Sequence, residues 1–430
     1  MFGDEALFTP TEVFRALEIN FNNIKVIQKP INRRRFLSQA GLTAAGLAIT
    51  DRFAFAGMPL SERKLRMGIV GGRFGLQFYF HEHPNCVVEA VSDLIPGRKA
   101  ELMKTYHCTK SYDSLELLLK DPKVEAVFLA TPAPDHARHV IASLDAGKHV
   151  LCAVPAALTI GECHAVLAAV KRTGLTYMMA ETSVYRQETI SAKKFFKEGK
   201  FGNIFSSAAQ YYHPGLESLY FEKDGRPTWR HGLPPMLYPT HVTSFLIAVT
   251  GERLTHVTCN GWGDDSPLLK GNPYKNPFWN ETALFRTNRG NSFTGEVCWK
   301  GALVGTERGE WRGDKMSFYS EYKSEGVHLV AASEKQGTDD GGFKVGEPEK
   351  VTYKQPRWWQ TDMLPEPLRH NSGHGGSHTF ITHEFVDAII GNRQPEINIY
   401  EALAYTAPGI VAHASALKNG EYMKIPNFDK

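Results

Sequence analysis

The run Gly71-Gly72-Arg73-Phe74-Gly75 follows the apolar stretch Leu65–Val70. Glycines at such a point let backbone N–H groups approach a pyrophosphate that side chains would block. The spacing G-G-x-x-G is one residue shorter than the usual dinucleotide pattern, and alone it also fits an ordinary turn. Asp93 ends a second apolar run about 20 residues further on, where a carboxylate can accept both hydroxyls of an adenosine ribose. That pairing favours NAD over NADP, while Arg98 is close enough in sequence to meet a 2′-phosphate and keeps NADP open. Further on, Trp229-Arg230-His231 offers a stacking wall and donors suited to a sugar, or a packed loop. In Leu237-Tyr238-Pro239-Thr240-His241 the histidine can move protons near neutral pH, whereas a tyrosine, with an ordinary pKa of about 10, needs help from a positive charge. A histidine after Pro-Thr also fits a helix start. His81-Glu82-His83 has the spacing of metal ligands, but nothing else in the sequence converges on it, and no metal is expected.

Those residues need a scaffold. Leu65–Gly71, Val87–Val91, Ala126–Ala130, Lys148–Val154 and Leu175–Ala180 are apolar at strand length and alternate with helical segments, one of them ending at Gly147. This implies a parallel sheet covered on both faces. After Glu181 the pattern changes to longer alternating strands, Ile204–Tyr212, Leu254–Asn260, Thr282–Thr287 and Ser292–Trp299, which imply a mainly antiparallel sheet open on one face. Helices over His378–Ile390 and Tyr400–Leu417 complete an α+β unit. Residues 333–377 read as a long Gly- and Pro-rich connection with Trp358-Trp359 and Gly373-His374-Gly375-Gly376. Loops of more than about 15 residues are usually lids or binding elements, so contact with substrate is expected there.

The segments GIVGG, VSD, AVFLATPAPDHARHV and GKHVLCAVP, in this order and at these separations, resemble the nucleotide domain of the glucose-fructose oxidoreductase and inositol dehydrogenase (Gfo/Idh/MocA) family, over nearly all of the mature chain. The resemblance implies a Rossmann domain over 57–182 and a substrate-binding and oligomerisation domain over 183–430. It implies that Gly71, Gly72, Arg73 and Phe74 wrap the pyrophosphate and that Asp93 holds the ribose. Thr131, Pro132 and His136 would meet the nicotinamide-side ribose. Family members form dimers through the open sheet face, and a homo-oligomer is expected here.

Two departures stand out. Where the family reads GKHVLCEKP its catalytic lysine is replaced by Val154, and where it reads D-x-x-x-H the aspartate is replaced by Leu237, with only His241 kept. The segments VPAA, MMAETSVYR and LYPTH are similar to a divergent branch, the NAD-dependent α-N-acetylgalactosaminidases. That branch places Tyr185, Tyr238 and His241 at the sugar, and it has a glutamate where this chain has Ala153. Its enzymes use NAD without consuming it. A ring hydroxyl at C3 is oxidised, C2 is deprotonated, the C1 group is eliminated, water adds and the ketone is reduced again. His241 would handle the proton at the oxidised carbon, the two tyrosines would orient the sugar or act at C2, and Trp229 and Arg230 would bind it. A sugar oxidoreductase with tightly bound cofactor, and a non-catalytic sugar-binding protein, are the competing readings.

The 430 residues exceed what one core usually organises, and a net charge of +3 with 42% hydrophobic residues gives no sign of nucleic-acid binding. The six cysteines sit singly in apolar runs and read as buried thiols. Asn32-Arg33-Arg34-Arg35-Phe36-Leu37-Ser38, the uncharged run Ala40–Thr50 and Ala54-Phe55-Ala56 together match a twin-arginine export signal over 1–56. The twin-arginine translocation machinery is then a partner, and the protein is periplasmic or otherwise extracytoplasmic. With no nicotinamide pool outside the membrane, the cofactor must travel tightly bound. Replacing Arg33 and Arg34 by lysine should hold the precursor in the cytosol, and the exported chain should begin at Gly57. An intact N-terminus on exported protein, read by mass spectrometry, would contradict the cleavage.

Overall fold

Short apolar runs closed by Gly, Asp or Pro become parallel strands. They are β1 (Leu65–Val70), β2 (Cys86–Ser92), β3 (Ser111–Tyr112), β4 (Ala126–Leu129), β5 (His149–Cys152) and β6 (Tyr177–Met179). The computed structural model describes residues 62–302, 306–322, 325–333 and 335–429, and the export segment with its cleavage site lies outside them. The sheet order is β3-β2-β1-β4-β5-β6 with every neighbour parallel. All four residues of β4 are buried, as a strand covered on both faces requires. The crossovers are α1 (Pro96–Thr105), α2 (Leu115–Leu119), α3 (His136–Asp145) and α4 (Ile160–Thr173). Thr159 and Glu162 form a reciprocal capping box at the start of α4, and Gly174 ends it. Strand order reverses between β1 and β4, so the C-terminal ends of β1, β2 and β4 border the crevice where such sheets bind ligands.

The segment after the glycines departs from expectation. Phe74–Gln77 forms one 3-10 turn and Phe80–Glu82 another, in place of a long helix. Phe78 and Phe80 are both fully buried, a two-residue period that a helix cannot place on one face. No long helix dipole therefore backs this turn, and any anion there would rely on local N–H groups.

The second sheet comprises β7 (Ile204–Tyr212), β8 (Leu254–Trp262), β9 (Asn280–Thr287), β10 (Ser292–Cys298), β11 (Thr306–Gly313), β12 (Met316–Tyr319), β13 (His328–Ala331), β16 (Glu349–Thr352) and β17 (Met423–Lys424). Its order is β16-β13-β12-β11-β7-β10-β9-β8-β17, mainly antiparallel with β7 and β10 parallel. The expected long connection is corrected, because it holds β16, the hairpin β14 (Gln336–Thr338) with β15 (Lys344–Gly346), and two 3-10 turns. All residues of β15 and β16 are exposed, so no apolar alternation marks them in the sequence. The six cysteines are free thiols, five of them buried and Cys298 half-buried. Among the described residues, no helix is long and apolar enough to cross a membrane.

Packed against one face of the second sheet and against each other are α5 (Gln187–Lys197) and α6 (Thr240–Thr250), and α7 (Gly373–Ile390) and α8 (Ile399–Ala416) follow. Helix α6 presses into the second sheet where side chains are missing. A Cβ on Gly295 would stand 2.8 Å from Val242, and one on Gly309 would stand 2.7 Å from Phe245. The buried Trp311 indole donates to the Phe245 carbonyl at 2.8 Å. The opposite face is polar and carries Gln210, Glu296, Arg308 and Arg312 around a depression of about 230 Å³.

The turn before α6 is pinned from two sides. Fully buried Glu281 accepts the Met236 N–H at 2.7 Å and pairs with His413 at 2.8 Å. On α8, Gly409 leaves room for the Met236 carbonyl and the Pro239 ring, which a Cβ would strike. Gly409→Ala should therefore lower stability by about 1–3 kcal/mol through overpacking and reduce activity by displacing Tyr238 and His241. Denaturant unfolding and turnover check this, and unchanged values for both would show that α8 shifts freely.

Candidate active site

His241 lies in the first turn of α6, with its ring over the second sheet, and is 4% exposed. Glu181 follows β6 at the C-terminal edge of the parallel sheet and is fully buried. Glu181 Oε1 lies 2.9 Å from His241 Nδ1, and Ser183 Oγ lies 3.2 Å from the same nitrogen. A carboxylate only accepts, so Nδ1 carries the proton and Nε2 is left as the nitrogen for proton transfer. Burial alone would lower the His241 pKa, but the Glu181 carboxylate, and behind it Glu307, raise it above the ordinary histidine value. Burial likewise opposes the Glu181 charge, yet His241 brings that carboxyl below its usual range.

The sheet supplies the floor. Tyr211 on β7 and Glu307 on β11 are direct cross-strand partners, so both side chains share the face that α6 covers. Glu307 accepts from Ser183 Oγ at 2.6 Å and from Arg186 at 3.1 Å. Against the penalty of burial, Arg186, His241 and His374 hold its carboxyl down to about 2. The Tyr211 ring sits 4.6 Å and the Tyr238 ring 5.2 Å from the His241 ring. Burial pushes both tyrosines up, and the nearby Arg230 guanidinium partly offsets this. Arg230 hydrogen-bonds Tyr238 and stacks 4.2 Å from the Trp229 ring. The structure thus brings Trp229, Arg230, Tyr238 and His241 together, as the sequence suggested.

Glu181, His241 and Glu307 offer potential metal-ligand atoms within 4.8 Å of one another. Their donor set is already engaged, because Nδ1 faces Glu181 while Ser183 and Arg186 satisfy Glu307. Two carboxylates facing the His241 ring and a guanidinium are compensated by hydrogen bonds and charge, and the cluster fits proton handling better than cation binding. His83 pairs with His383 at 3.0 Å, and Glu82 with His370 at 2.6 Å, so the His81-Glu82-His83 run ties α7 and its approach to the first sheet.

Two site expectations need correction. Tyr185 does not join His241. Its ring stacks on Phe380, Lys193 Nζ lies 5.1 Å over it, and its charged neighbours are Glu396 and Glu384. One 3-10 turn after Glu181 sends Ser183 and Tyr185 to different sides, which sequence spacing does not reveal. His136 is 1% exposed, with Nδ1 2.7 Å from the Pro155 carbonyl and Nε2 2.9 Å from the Thr131 carbonyl. Both nitrogens are engaged, so His136 holds the Pro155 loop against the Thr131 loop and has none free for a ribose. Trp358 is also structural, with its indole donating to Ser191 on α5 at 2.9 Å.

The nucleotide edge fits a dinucleotide. Asp93 accepts from the Gly72 N–H at 2.6 Å and from the Ile95 N–H at 2.7 Å, which fixes its carboxylate at the end of β2. Beside it, Ser92 Oγ is buried and unpaired. Gly71 has φ +103°, and a Cβ there would strike the Ala130 carbonyl. The backbone of Arg98 packs on Gly72, 2.8 Å from where a Cβ would be. Thr131 Oγ1 is 2.9 Å from His139 Nδ1, and Pro132 precedes the turn into α3.

Sequence reasoning missed Glu181, Ser183, Tyr211 and Glu307, and it singled out His374 only as part of a connection expected to contact substrate. Glu181 and Ser183 could have been found as polar residues at the ligand-binding edge of a parallel sheet. Glu307 shares the two-residue parity of the buried Gly309 and Trp311, a charge where the pattern calls for an apolar residue.

A carboxyl held below its unfolded value stabilises the fold above the ordinary carboxylate pKa of about 4.3, and this contribution is lost as pH falls toward 2. Glu307→Gln should therefore be less stable than the parent at neutral pH, with the gap closing on acidification. Denaturant unfolding across pH 2 to 7 reads this, and a gap that is constant with pH would refute the charge assignment.

Residues 65–181 match the oxidoreductase family, NAD-binding Rossmann fold, and residues 322–430 match the C-terminal domain of glycosyl hydrolase 109. A glycosyl hydrolase family 109 protein of Solibacter usitatus is 25% identical over 336 residues, 74% of this chain and 74% of that protein. One of Streptomyces niveus is 25% identical over 443 residues, 91% of this chain and 85% of its own. Among solved structures, levoglucosan dehydrogenase in complex with NADH and L-sorbose shares the fold at a TM-score of 0.68 and 20% identity, over 85% of this chain and 100% of that one. The chain therefore carries a domain similar to the NAD-binding Rossmann fold of the oxidoreductase family and, at its C-terminal end, one similar to the C-terminal domain of glycosyl hydrolase 109.

Proposed function

We propose that this NAD-dependent enzyme cleaves a glycoside by a redox-neutral route. The observation that carries the reading is the buried Glu181–His241 pair in a site where the dehydrogenase lysine position is Val154 and the aspartate position is Leu237. Glycosyl hydrolase 109 relatives and the matching C-terminal domain support it. Gly71, Gly72, Arg73 and Phe74 would hold the pyrophosphate, Asp93 the adenosine ribose, and Thr131 with Pro132 the nicotinamide side. Bound NAD supplies hydride acceptance and return at a carbinol carbon.

The protein's own groups manage protons and position. His241 takes the proton of the C3 hydroxyl as that carbon is oxidised and returns it when the ketone is reduced again. With a ketone at C3, the C2 proton becomes acidic. Its removal lets the C1 group leave with the formation of a C1–C2 double bond, and water then adds across it, hydroxyl at C1 and a proton at C2. Tyr238, Tyr211 and Arg230 line this space and can hold sugar hydroxyls, with Trp229 as a stacking surface. The shared fold with levoglucosan dehydrogenase favours the second reading, net oxidation of a sugar. Export through the twin-arginine route, tight retention of NAD rather than NADP, and pairing of two copies through the polar sheet face around Gln210 and Glu296 complete the proposal.

Turnover of aryl glycosides in deuterium oxide, without added nucleotide, should place deuterium at C2 of the released sugar with no build-up of reduced cofactor. His241→Ala should lower the rate about 10²-fold or more, as loss of an acid-base group does. Product NMR decides between the readings. An oxidised sugar as sole product would exclude the glycosidase while leaving the fold assignment intact.

A further inference from the structure

The proposed cycle needs a second proton acceptor beside His241, and the positions that would supply one are empty of candidates. Residues 153, 154 and 237 are Ala, Val and Leu, and Tyr185 faces Glu396 and Glu384. Burial pushes Tyr211 and Tyr238 up, which keeps both as protonated phenols that cannot take up a carbon-bound proton. What remains is a histidine from the far end of the chain. His374 stands at the start of α7 in left-handed backbone geometry (φ 50°, ψ 49°), followed by Gly375 and Gly376 with φ of 69° and 91°. A left-handed conformation is costly for a residue with a side chain, and such strain clusters at functional sites. The His374 ring meets Phe74 of the glycine turn edge-on at 6.0 Å and lies parallel to the His241 ring at 6.4 Å. It therefore stands between the nucleotide edge and His241, and it is open to solvent.

Its hydrogen bonds fix its protonation. His378 Nδ1 lies 2.8 Å from the Gln77 carbonyl, which can only accept, so that nitrogen carries the proton. The His378 pKa is lowered to about 4, burial being the main cause and His374 the next, so the ring is neutral and its Nε2 accepts. His374 Nδ1, 2.7 Å from that Nε2, must then donate. The remaining nitrogen, His374 Nε2, bears a lone pair. Gly373 makes the chain of bonds possible, because a Cβ there would strike the His378 ring.

We infer that His374 is the second proton-transfer residue, held as an acceptor at Nε2 by a hydrogen-bond chain through His378 to the Gln77 carbonyl, and that it takes the C2 proton. The C2–H bond breaks, its electron pair is delocalised toward the C3 ketone, and the proton ends on His374 Nε2. His378 is a positioning residue. The choice of C2 rests on the function proposed above, whereas the tautomer does not. Charged or titratable groups facing His374 are Glu307 from β11, His241 from α6, Glu181 and Arg186 from the turn after β6, and His378 on its own helix. Burial, with His241 and Arg186, lowers His374 despite Glu307, while His241 is raised. Two histidines whose environments push their pKa values apart can take separate proton-transfer roles.

The test uses the full chain with its bound cofactor, labelled with ¹⁵N-histidine. Long-range ¹⁵N–¹H spectra at neutral pH should show His374 protonated at Nδ1 and bare at Nε2, and His378→Phe should abolish that preference. His374→Gln should cut deuterium incorporation at C2 about 10²-fold or more, with the thermal midpoint kept. In His378→Phe the acid limb of the C2-exchange profile should move. A proton on His374 Nε2 in the parent, or His374→Gln exchanging C2 at the parental rate, overturns the inference. If the parent makes only oxidised sugar without C2 exchange, the glycosidase reading and the C2 assignment fall together, and the spectra still decide whether the relay exists.

Discussion

A carboxylate and an imidazole facing each other at 2.9 Å out of reach of water can persist only if each compensates the desolvation of the other. Glu181 and His241 meet that condition, and most of the architecture serves to keep it met. Glu181 is delivered by the last parallel strand and His241 by the helix that packs on one face of the second sheet. Ser183, Glu307 and Arg186 extend the pair into a network in which every carboxylate has a positive partner. A lone charge in this place would shift its protonation and become neutral. The network instead keeps a proton available at a defined atom.

The fold reaches this result by letting backbone approach backbone. Gly295 and Gly309 bring α6 onto the sheet, and Gly409 brings α8 onto the turn that carries Tyr238. Glu281 is a second buried carboxylate, balanced by His413, and one of its oxygens takes the Met236 N–H. Two buried carboxylate–histidine pairs thus flank the turn and helix that carry Tyr238 and His241, one at the reacting ring and one behind it.

What the sequence made legible was local. The glycine turn, Asp93, the five parallel strands and the first strands of the second sheet all follow from apolar runs and turn residues within short windows. The segment Tyr238 to His241 was legible through resemblance to a family, Trp229 and Arg230 through their residue types, and the structure brings these residues together. Three things were hidden for physical reasons. The direction of Tyr185 depends on one 3-10 turn, which no periodicity encodes. The role of His136 depends on two carbonyl groups that only the folded loops bring to it. Glu307 and His374 reach the site from distant parts of the chain, through strand register and a left-handed kink, and although the glycines around His374 mark its segment, nothing local to either residue reveals its neighbours.

The parallel pairing of β7 with β10 sets an order of assembly. β7 lies between β10 and β11, both of which are synthesised only after α6, β8 and β9. Contacts so distant in sequence form slowly, because loop-closure entropy must be met before they contribute. Until β11 docks, Tyr211 has no Glu307 opposite it, and His241 has lost one of its two raising carboxylates. The full electrostatic surroundings of His241 are therefore complete only once β11 has paired with β7, with Glu181 supplying the larger part of the upward shift and Glu307 the rest.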